Sequence, residues 1–453
     1  MGHVLRLDRK TERRLTTLRP HPAKALAASA GLSTLFLVVY GGCNWVTAQR
    51  TDVGTIDFAW ERHLPFVPLL IAPYLSIDLF FVAAPFLCRS GRELAAFTKR
   101  IAVVILVAGI SFLALPLRFA YARPETDGLL GALFDWFRTM DAPHNLFPSL
   151  HIALGSLLVV TYRRHTRGIL RTAVTVWFGL IAASAVFTYQ HHVLDVVGGL
   201  ALAGYCFYFI PETPLQLPVI TNRRVGSYYV GGAALLGVAA AGGWPSTAIL
   251  PWPALSCAIL AAAYFGVGPR VYRKANGVLP WSTVWVLGPC LLGQHLSRSY
   301  YRRQCRAWDA VTPQVWIGSA LREREAAVAI RAGVTAVLDL TAEFSAPPVF
   351  RDLAYRNIPV LDLTAPTTEQ LRAMAEFIDD EAAGGIVYVH CKIGYSRSAA
   401  AVGAYLLGRG LCATVEQSLA RLRDVRPSIV VRPEIMAALH QFQAQLPADC
   451  ARV

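Results

Sequence analysis

Charge is what this chain has least of. Asp, Glu, Lys and Arg make up only 16% of its 453 residues, against 55% hydrophobic residues and a mean hydropathy of +0.42. A soluble domain carries about 25% charged residues, so a fully soluble chain is excluded, and the same apolarity excludes disorder. Acidic residues are scarcer than basic ones, 29 against 43, for a formal charge of +14. Of these, 29 Lys/Arg but only 13 Asp/Glu precede Ala307. The basic excess therefore belongs to the apolar part, where cations between apolar runs set membrane orientation, and nucleic acid is excluded as a partner. Paired or metal-like cysteine spacing is also missing: nine cysteines are scattered, several inside apolar runs. Neither a disulfide framework nor a metal site is expected, and no cofactor is implied.

What the first two thirds contain is apolar runs approaching the roughly 20 residues that span a bilayer. They extend over Ala25–Val46, Phe66–Cys88, Ile101–Leu117, His151–Tyr162, Ile169–Phe187 and Val193–Ile210, which predicts six spans. Weaker candidates follow at Val225–Gly242, Ile249–Gly266 and Leu279–Leu296, interrupted by Pro251, Pro253 and Pro289, leaving eight or nine spans open. The basic segment Arg6, Arg9, Lys10, Arg13, Arg14, Arg19 and Lys24 places the N-terminus inside, and no small-residue cleavage site closes the first run. Alternation then puts Arg89, Arg92, Lys99 and Arg100, and later Arg163, Arg164 and Arg167, on the same side. Asp78, within an apolar run, is either functional or hydrogen-bonded to a neighbouring helix.

On the outer side, two motifs each open a span: Pro148-Ser149-Leu150-His151 and His191-His192-Val193-Leu194-Asp195. Four residues apart on a helix, His191 and Asp195 would share a face, so the carboxylate could hold the imidazole in one tautomer. Taken singly, each histidine reads equally as an interfacial polar residue. Together the motifs resemble those of the type-2 phosphatidic acid phosphatase superfamily. By that resemblance His191 is the nucleophile, Asp195 its orienting partner, His151 the acid for the leaving group, and Arg123 a phosphate ligand. Two family cations are replaced, by Pro116 and Ala185, with Arg118 a substitute for one of them. Leu150 within the first motif is closer to the sphingomyelin-synthase and inositolphosphorylceramide-synthase branch, which implies head-group transfer between lipids.

After Ser297 the pattern changes to short β-branched runs alternating with amphipathic stretches, which predicts an α/β domain. Strands are expected at Gln314–Ile317, Ala336–Leu340, Tyr355–Val360 and Ile386–Val389, and helices at Leu321–Ala332, Thr368–Ala382, Arg397–Arg409, Thr414–Asp424 and Pro433–Gln445. Between the last strand and its helix runs His390-Cys391-Lys392-Ile393-Gly394-Tyr395-Ser396-Arg397-Ser398. A cysteine at a loop of converging N–H groups, backed by a helix N-terminus, is favoured as a thiolate beside an anion-binding nest. Arg397 could grip two phosphoryl oxygens, Gly394 permits the tight backbone, and Ser398 could donate to the departing sulfur.

This segment resembles the active-site loop of the dual-specificity cysteine phosphatases, over most of Trp308–Leu446 and including Arg426-Pro427. The resemblance implies Asp362 as general acid, with Asp352 as the alternative, and His390 as one of the catalytic residues of the loop. The loop is similar to that of a lipid-directed relative, the mitochondrial phosphatidylglycerophosphate phosphatase, and Lys392 adds charge suited to a polyanionic head group. The expected architecture is a basic N-terminus (1–24), a multi-pass α-helical membrane core (25–212), further membrane segments (213–298) and an α/β cysteine-phosphatase domain (299–453). The expected protein is a bacterial-type inner-membrane phosphatase of lipid phosphate. Its N-terminus and cysteine site are cytoplasmic and its histidine site faces outward. The alternative is a membrane-anchored phosphatase of phosphoproteins.

Overall fold

The computed structural model describes residues 20–140, 144–212, 221–243, 247 and 249–446. The cations from Arg6 to Arg19 lie outside the described residues. The chain divides into two compact units, Met1–Pro214 and Leu215–Val453.

The first unit is helical: α1 (Pro22–Ala48), α2 (Ile71–Leu87), α3 (Gly91–Ala114), α4 (Gly128–Met140), α5 (Leu150–His165), α6 (Gly168–Phe187) and α7 (Val193–Phe209). Six of them, α1–α3 and α5–α7, pack as one bundle around Ile101, Val104 and Ile105 of α3 and Ala153, Leu157 and Leu158 of α5. Their outer faces are apolar too: Leu79, Ile110 and Ile169 are 76%, 69% and 89% exposed, the inverse of a water-soluble bundle. Among the described residues six helices are long and apolar enough to cross a membrane: Pro22–Ala48, Pro68–Leu87, Gly91–Ala114, Gly168–Phe187, Arg223–Gly242 and Pro251–Tyr272. The expected spans at His151–Tyr162 and Val193–Ile210 are found as the shorter helices α5, of 16 residues, and α7, of 17. Glu93, Arg164, His165 and Glu212 form a charge cluster, with Arg164 3.3 Å from Glu93 and 2.6 Å from Glu212. Helix α4 was not expected; it is amphipathic and falls between the long apolar runs.

The second unit begins with α8 (Arg223–Gly242) and α9 (Pro251–Ala262), packed on each other. A π-turn, Ala263–Val267, follows, with Gly266 at φ 144°, a conformation open to glycine. The expected segment Leu279–Leu296 is two helices, α10 (Trp281–Val286) and α11 (Gly288–Arg302), broken at Leu287-Gly288-Pro289. The sheet then forms from β1 (Trp308–Thr312), β2 (Val315–Ser319), β3 (Val334–Thr341), β4 (Ala354–Val360) and β5 (Ile386–Cys391) in the order β1-β2-β5-β3-β4, with only β1 antiparallel. Helix α12 (Glu323–Arg331) covers one face; α13 (Thr368–Ala382), α14 (Arg397–Gly408), α15 (Val415–Val425) and α16 (Pro433–Gln443) cover the other. Alternation along β5 sends Val387 and Val389 to the four-helix side and Tyr388 to the other. Helix α14 is buried all round, so β5 and α14 hold the loop between them rigidly. Lys274 anchors the connecting segment to the sheet: its buried Nζ lies 2.5 Å from Asp339 and donates to the Thr341 carbonyl at 2.9 Å.

Candidate active sites

Cys391 ends β5 at the carboxyl edge of the sheet, level with Ser319 of β2. The Gly394 N–H donates to its Sγ at 3.3 Å, and the Ser398 hydroxyl lies at 3.3 Å. Burial opposes ionisation of the thiol. Arg397, the Ser398 hydroxyl and the N–H groups of Ser398 and Gly394 outweigh it and hold the thiol below its ordinary value. Gly394 sits at φ 84°, and a Cβ there would fall 2.7 Å from the Gly318 carbonyl. The loop is braced from behind by Arg426, which is 1% exposed. It donates to the carbonyls of Ile393, Gly394 and Arg306 and lies 2.6 Å from Asp309.

Arg397 opens α14, and its guanidinium is buried. Its partner, which no local pattern announces, is Glu343. Nη2 donates to Glu343 Oε1 at 2.7 Å and Nη1 to Oε2 at 3.1 Å, with the Val360 carbonyl at 2.9 Å from Nη1. The doubly bonded edge thus faces a carboxylate, as a buried guanidinium requires. Asp362 Oδ1 lies 3.3 Å from Arg397 Nη2, and Lys392 donates to Asp362 Oδ2 at 3.3 Å. Lys392, expected beside the substrate, is therefore paired with Asp362. Burial pushes the Asp362 carboxyl up, but Arg397 and Lys392 overcome it and hold the group below the usual carboxylate range. His390 is buried among Phe350 and Tyr388, with Nε2 3.8 Å from Asp339 Oδ1; burial keeps it below the ordinary imidazole value. It belongs to the packing behind the loop. Asp352 closes a 3-10 turn before β4, on the face covered by α12.

In the helical unit, the two histidine motifs come together at the starts of α5 and α7. The Ser149 N–H donates to the Asp195 carbonyl at 2.9 Å, and a Cβ on Gly199 would fall 2.5 Å from the Ser149 carbonyl. His191, however, lies in the turn before α7, and the Asp195 carboxylate accepts from the His192 N–H at 2.8 Å as a helix cap. His191 Nδ1 stands 3.6 Å from Asp195 Oδ2, beyond hydrogen-bond length. This corrects the expectation that the pair shares a helix face. His151 stacks on Tyr74 with ring centroids 4.2 Å apart. Arg123 Nε donates to the Tyr189 carbonyl at 2.9 Å, which brings it beside the His191 turn, whereas Arg118 is exposed. Ala185 is fully buried, and its carbonyl accepts the Gln190 and His191 N–H groups. Asp78 is on the exposed side of α2.

A second pair escaped the sequence reading. His192 Nδ1 lies 2.7 Å from Glu61 Oε2, both buried, and the Ala120 N–H donates to His192 Nε2 at 3.1 Å. Because Nε2 accepts, the network assigns the proton to Nδ1, donated to Glu61. The adjacent His191-His192 was the available signal; Glu61 lies 131 residues away. Among the described residues no group of three or more His, Cys, Asp or Glu has metal-binding geometry.

Comparisons with known proteins agree with this division. The family model for the dual specificity phosphatase catalytic domain matches residues 315–445, and that for the PAP2 superfamily matches residues 74–209. Phosphatidylglycerophosphatase and protein-tyrosine phosphatase 1 of Mus musculus is 33% identical over 98 residues, 21% of this chain and 50% of that protein. Dual specificity protein phosphatase 1 of Homo sapiens is 30% identical over 141 residues, 30% of this chain and 38% of that protein. The chain spans half or less of the length of these curated relatives. The crystal structure of Tk-PTP in the active form is 26% identical, covers 31% of this chain and 98% of that one, and gives a TM-score of 0.29. The chain thus joins a PAP2-superfamily domain to a C-terminal dual specificity phosphatase catalytic domain.

Proposed function

We propose that this protein is a membrane-bound phosphatase that hydrolyses phosphomonoesters, lipid phosphates foremost, through Cys391. The observation that carries the reading is the Cys391 sulfur itself, held toward the thiolate by Gly394, Ser398 and Arg397. The thiolate attacks phosphorus, the phosphorus–oxygen bond breaks, and Asp362 protonates the departing oxygen. Water then attacks the phosphocysteine, Asp362 takes its proton, and the phosphorus–sulfur bond breaks to regenerate the thiolate beside the Ser398 hydroxyl. Asp362 must carry a proton for the first step, although Arg397 and Lys392 hold it ionised. A phosphate dianion against the N–H nest and Arg397 offsets those cations, so substrate itself restores the acid.

Lipid is favoured by the apolar helices and by the likeness to the mouse phosphatidylglycerophosphatase and protein-tyrosine phosphatase. That relative's name and the likeness to human dual specificity protein phosphatase 1 also support the phosphoprotein alternative. The full chain in nanodiscs, assayed on phosphatidylglycerophosphate and on phosphopeptides, separates them. Lipid turnover far above peptide turnover, abolished in Cys391→Ser, is expected; the reverse ranking refutes the lipid reading.

For the helical unit we read a second phosphoryl centre, a lipid phosphatase or head-group transferase. His191 is its nucleophile, His151 its acid, Asp195 a positioning residue, and Arg123 a phosphate ligand. Lys and Arg in the loops after α2 and α5 favour a cytoplasmic N-terminus with the histidine motifs outward, and Arg270, Arg273, Arg298, Arg302 and Arg303 on the flanks of Leu279–Leu296 favour a cytoplasmic cysteine domain. A cysteine placed at Gln443, in a variant lacking Cys391, Cys412 and Cys450, is expected to resist an impermeant maleimide until the membrane is opened.

A further inference from the structure

The loop carrying Asp362 is held by residues outside the phosphatase fold. After β4 the chain turns through Leu361–Thr364, where the Thr364 N–H and hydroxyl both bond the Leu361 carbonyl. Leu363 stands at φ 62°, a left-handed conformation unfavourable for any residue with a Cβ. Something must hold it there. The two carbonyls at the tip of this turn accept bonds from the α8–α9 hairpin. Tyr264 Oη donates to the Asp362 carbonyl at 3.0 Å, and Asn222 Nδ2 donates to the Leu363 carbonyl at 2.7 Å.

The donors are fixed to each other as well as to the loop. Asn222 caps α8, its Oδ1 accepting from the Val225 N–H at 3.3 Å, and its own N–H donates to the Tyr264 carbonyl at 3.0 Å. Tyr264 lies in the π-turn after α9 and stacks on Tyr229 of α8 at 5.7 Å and 11°. Its aromatic body is buried in the hairpin while its hydroxyl reaches the acid loop. Helix α8 and the run Pro251–Tyr272, which is α9 with the turns that follow it, are each long and apolar enough to cross a membrane.

We infer that Tyr264 and Asn222 are positioning residues for the general acid: the hairpin clamps the Asp362–Leu363 turn so that the carboxyl stays beside Arg397. This rests on the reading of Asp362 as the acid. The clamp acts on backbone carbonyls, so it sets where the carboxyl stands without touching substrate, and it couples acid catalysis to an intact hairpin. A phosphatase domain cut free of α8 and α9 retains the nucleophile and the phosphate nest but loses the support of its acid.

The test is Tyr264→Phe in the full chain, which removes one hydroxyl and leaves the ring. It is assayed with an alkyl phosphate, whose leaving group needs a proton, and with an aryl phosphate of an acidic phenol, which does not. One lost hydrogen bond predicts a fall of about 5- to 10-fold in kcat on the alkyl ester and under about 2-fold on the aryl ester. Asn222→Ser, which keeps an N-cap oxygen but withdraws the donor, is expected to show the same selectivity. In an Asp362→Asn background, Tyr264→Phe is expected to add nothing, because the clamp works only through that carboxyl. Equal losses on both esters, or a further loss in the Asp362→Asn background, would mark Tyr264 as merely structural and overturn the inference. So would no loss on either ester. If Asp362→Asn itself loses equally on both esters, the acid assignment fails and the clamp falls with it, a result distinct from a selective Asp362→Asn with an unselective Tyr264→Phe.

Discussion

Glu343→Gln tests whether the arginine of the loop depends on a partner that lies 54 residues away in sequence. The substitution keeps the shape of the side chain and removes its charge. Both ends of the pair are about 2% exposed, so solvent screening does not dilute the interaction. Glutamine can accept only one of the bonds now at 2.7 and 3.1 Å, and its amide turns N–H toward N–H at the other. A hydrogen bond to a charged group contributes about 1.5–3 kcal/mol, so losing one and neutralising the other releases Arg397 by about 2–4 kcal/mol. At about 1.4 kcal/mol per tenfold, kcat/KM should fall by about 30- to 1,000-fold. The assay is steady-state hydrolysis of a soluble aryl phosphate by the detergent-solubilised chain, with vanadate affinity as a chemistry-free measure of the phosphate site. Tryptophan fluorescence at the assay temperature checks the fold. Arg397→Lys, which cannot form the fork, should lose at least as much. Glu343→Gln with normal kcat/KM and normal vanadate affinity would refute the claim that Glu343 orients Arg397.

Ser398→Ala removes a bond that favours the thiolate, so the midpoint for iodoacetamide alkylation of Cys391 should move to higher pH; an unchanged midpoint would exclude Ser398 from sulfur activation. Lys392→Met removes one of the cations that lower Asp362, so the carboxyl titrates higher, and the basic limb of the kcat profile, which reports the protonated acid, should move up in pH. A limb that moves down would contradict the pairing. Gly394→Ala forces a Cβ to within 2.7 Å of the Gly318 backbone at φ 84°, and should abolish phosphatase turnover with a lowered melting temperature; wild-type kinetics would contradict the loop geometry.

Local signals carried much of this in the sequence. The expected helix Thr368–Ala382 is found at those residues, two of the four expected strands, at β4 and β5, are extended at one end, and the other two, at β2 and β3, overlap the observed strands with boundaries off by one or two residues. The strongest pattern, apolar strand to phosphate loop to helix, is complete within Ile386–Gly408, so nothing distant is needed to recognise it. Strand β1 was missed because Trp308–Thr312 is an edge strand whose residues are mostly only partly buried. Partners distant in sequence left no trace either. Glu343, Glu61 and Tyr264 are single residues in ordinary surroundings, and only the fold sets them against Arg397, His192 and Asp362. The His191–Asp195 spacing misled for a related reason: the period of a helix applies only inside one, and α7 begins at Val193.

A phosphoryl group carried on Cys391 is what the proposed hydrolysis requires. The experiment is a rapid denaturing quench of the full chain in mildly alkaline detergent, where phosphocysteine and phosphohistidine both survive, during turnover of a ³²P-labelled phosphomonoester, followed by mapping of the labelled peptide. Label is expected on the peptide holding Cys391, and its loss together with turnover in Cys391→Ser. Steady turnover with no label on that peptide, or turnover that survives Cys391→Ser with the label at His191, would contradict it.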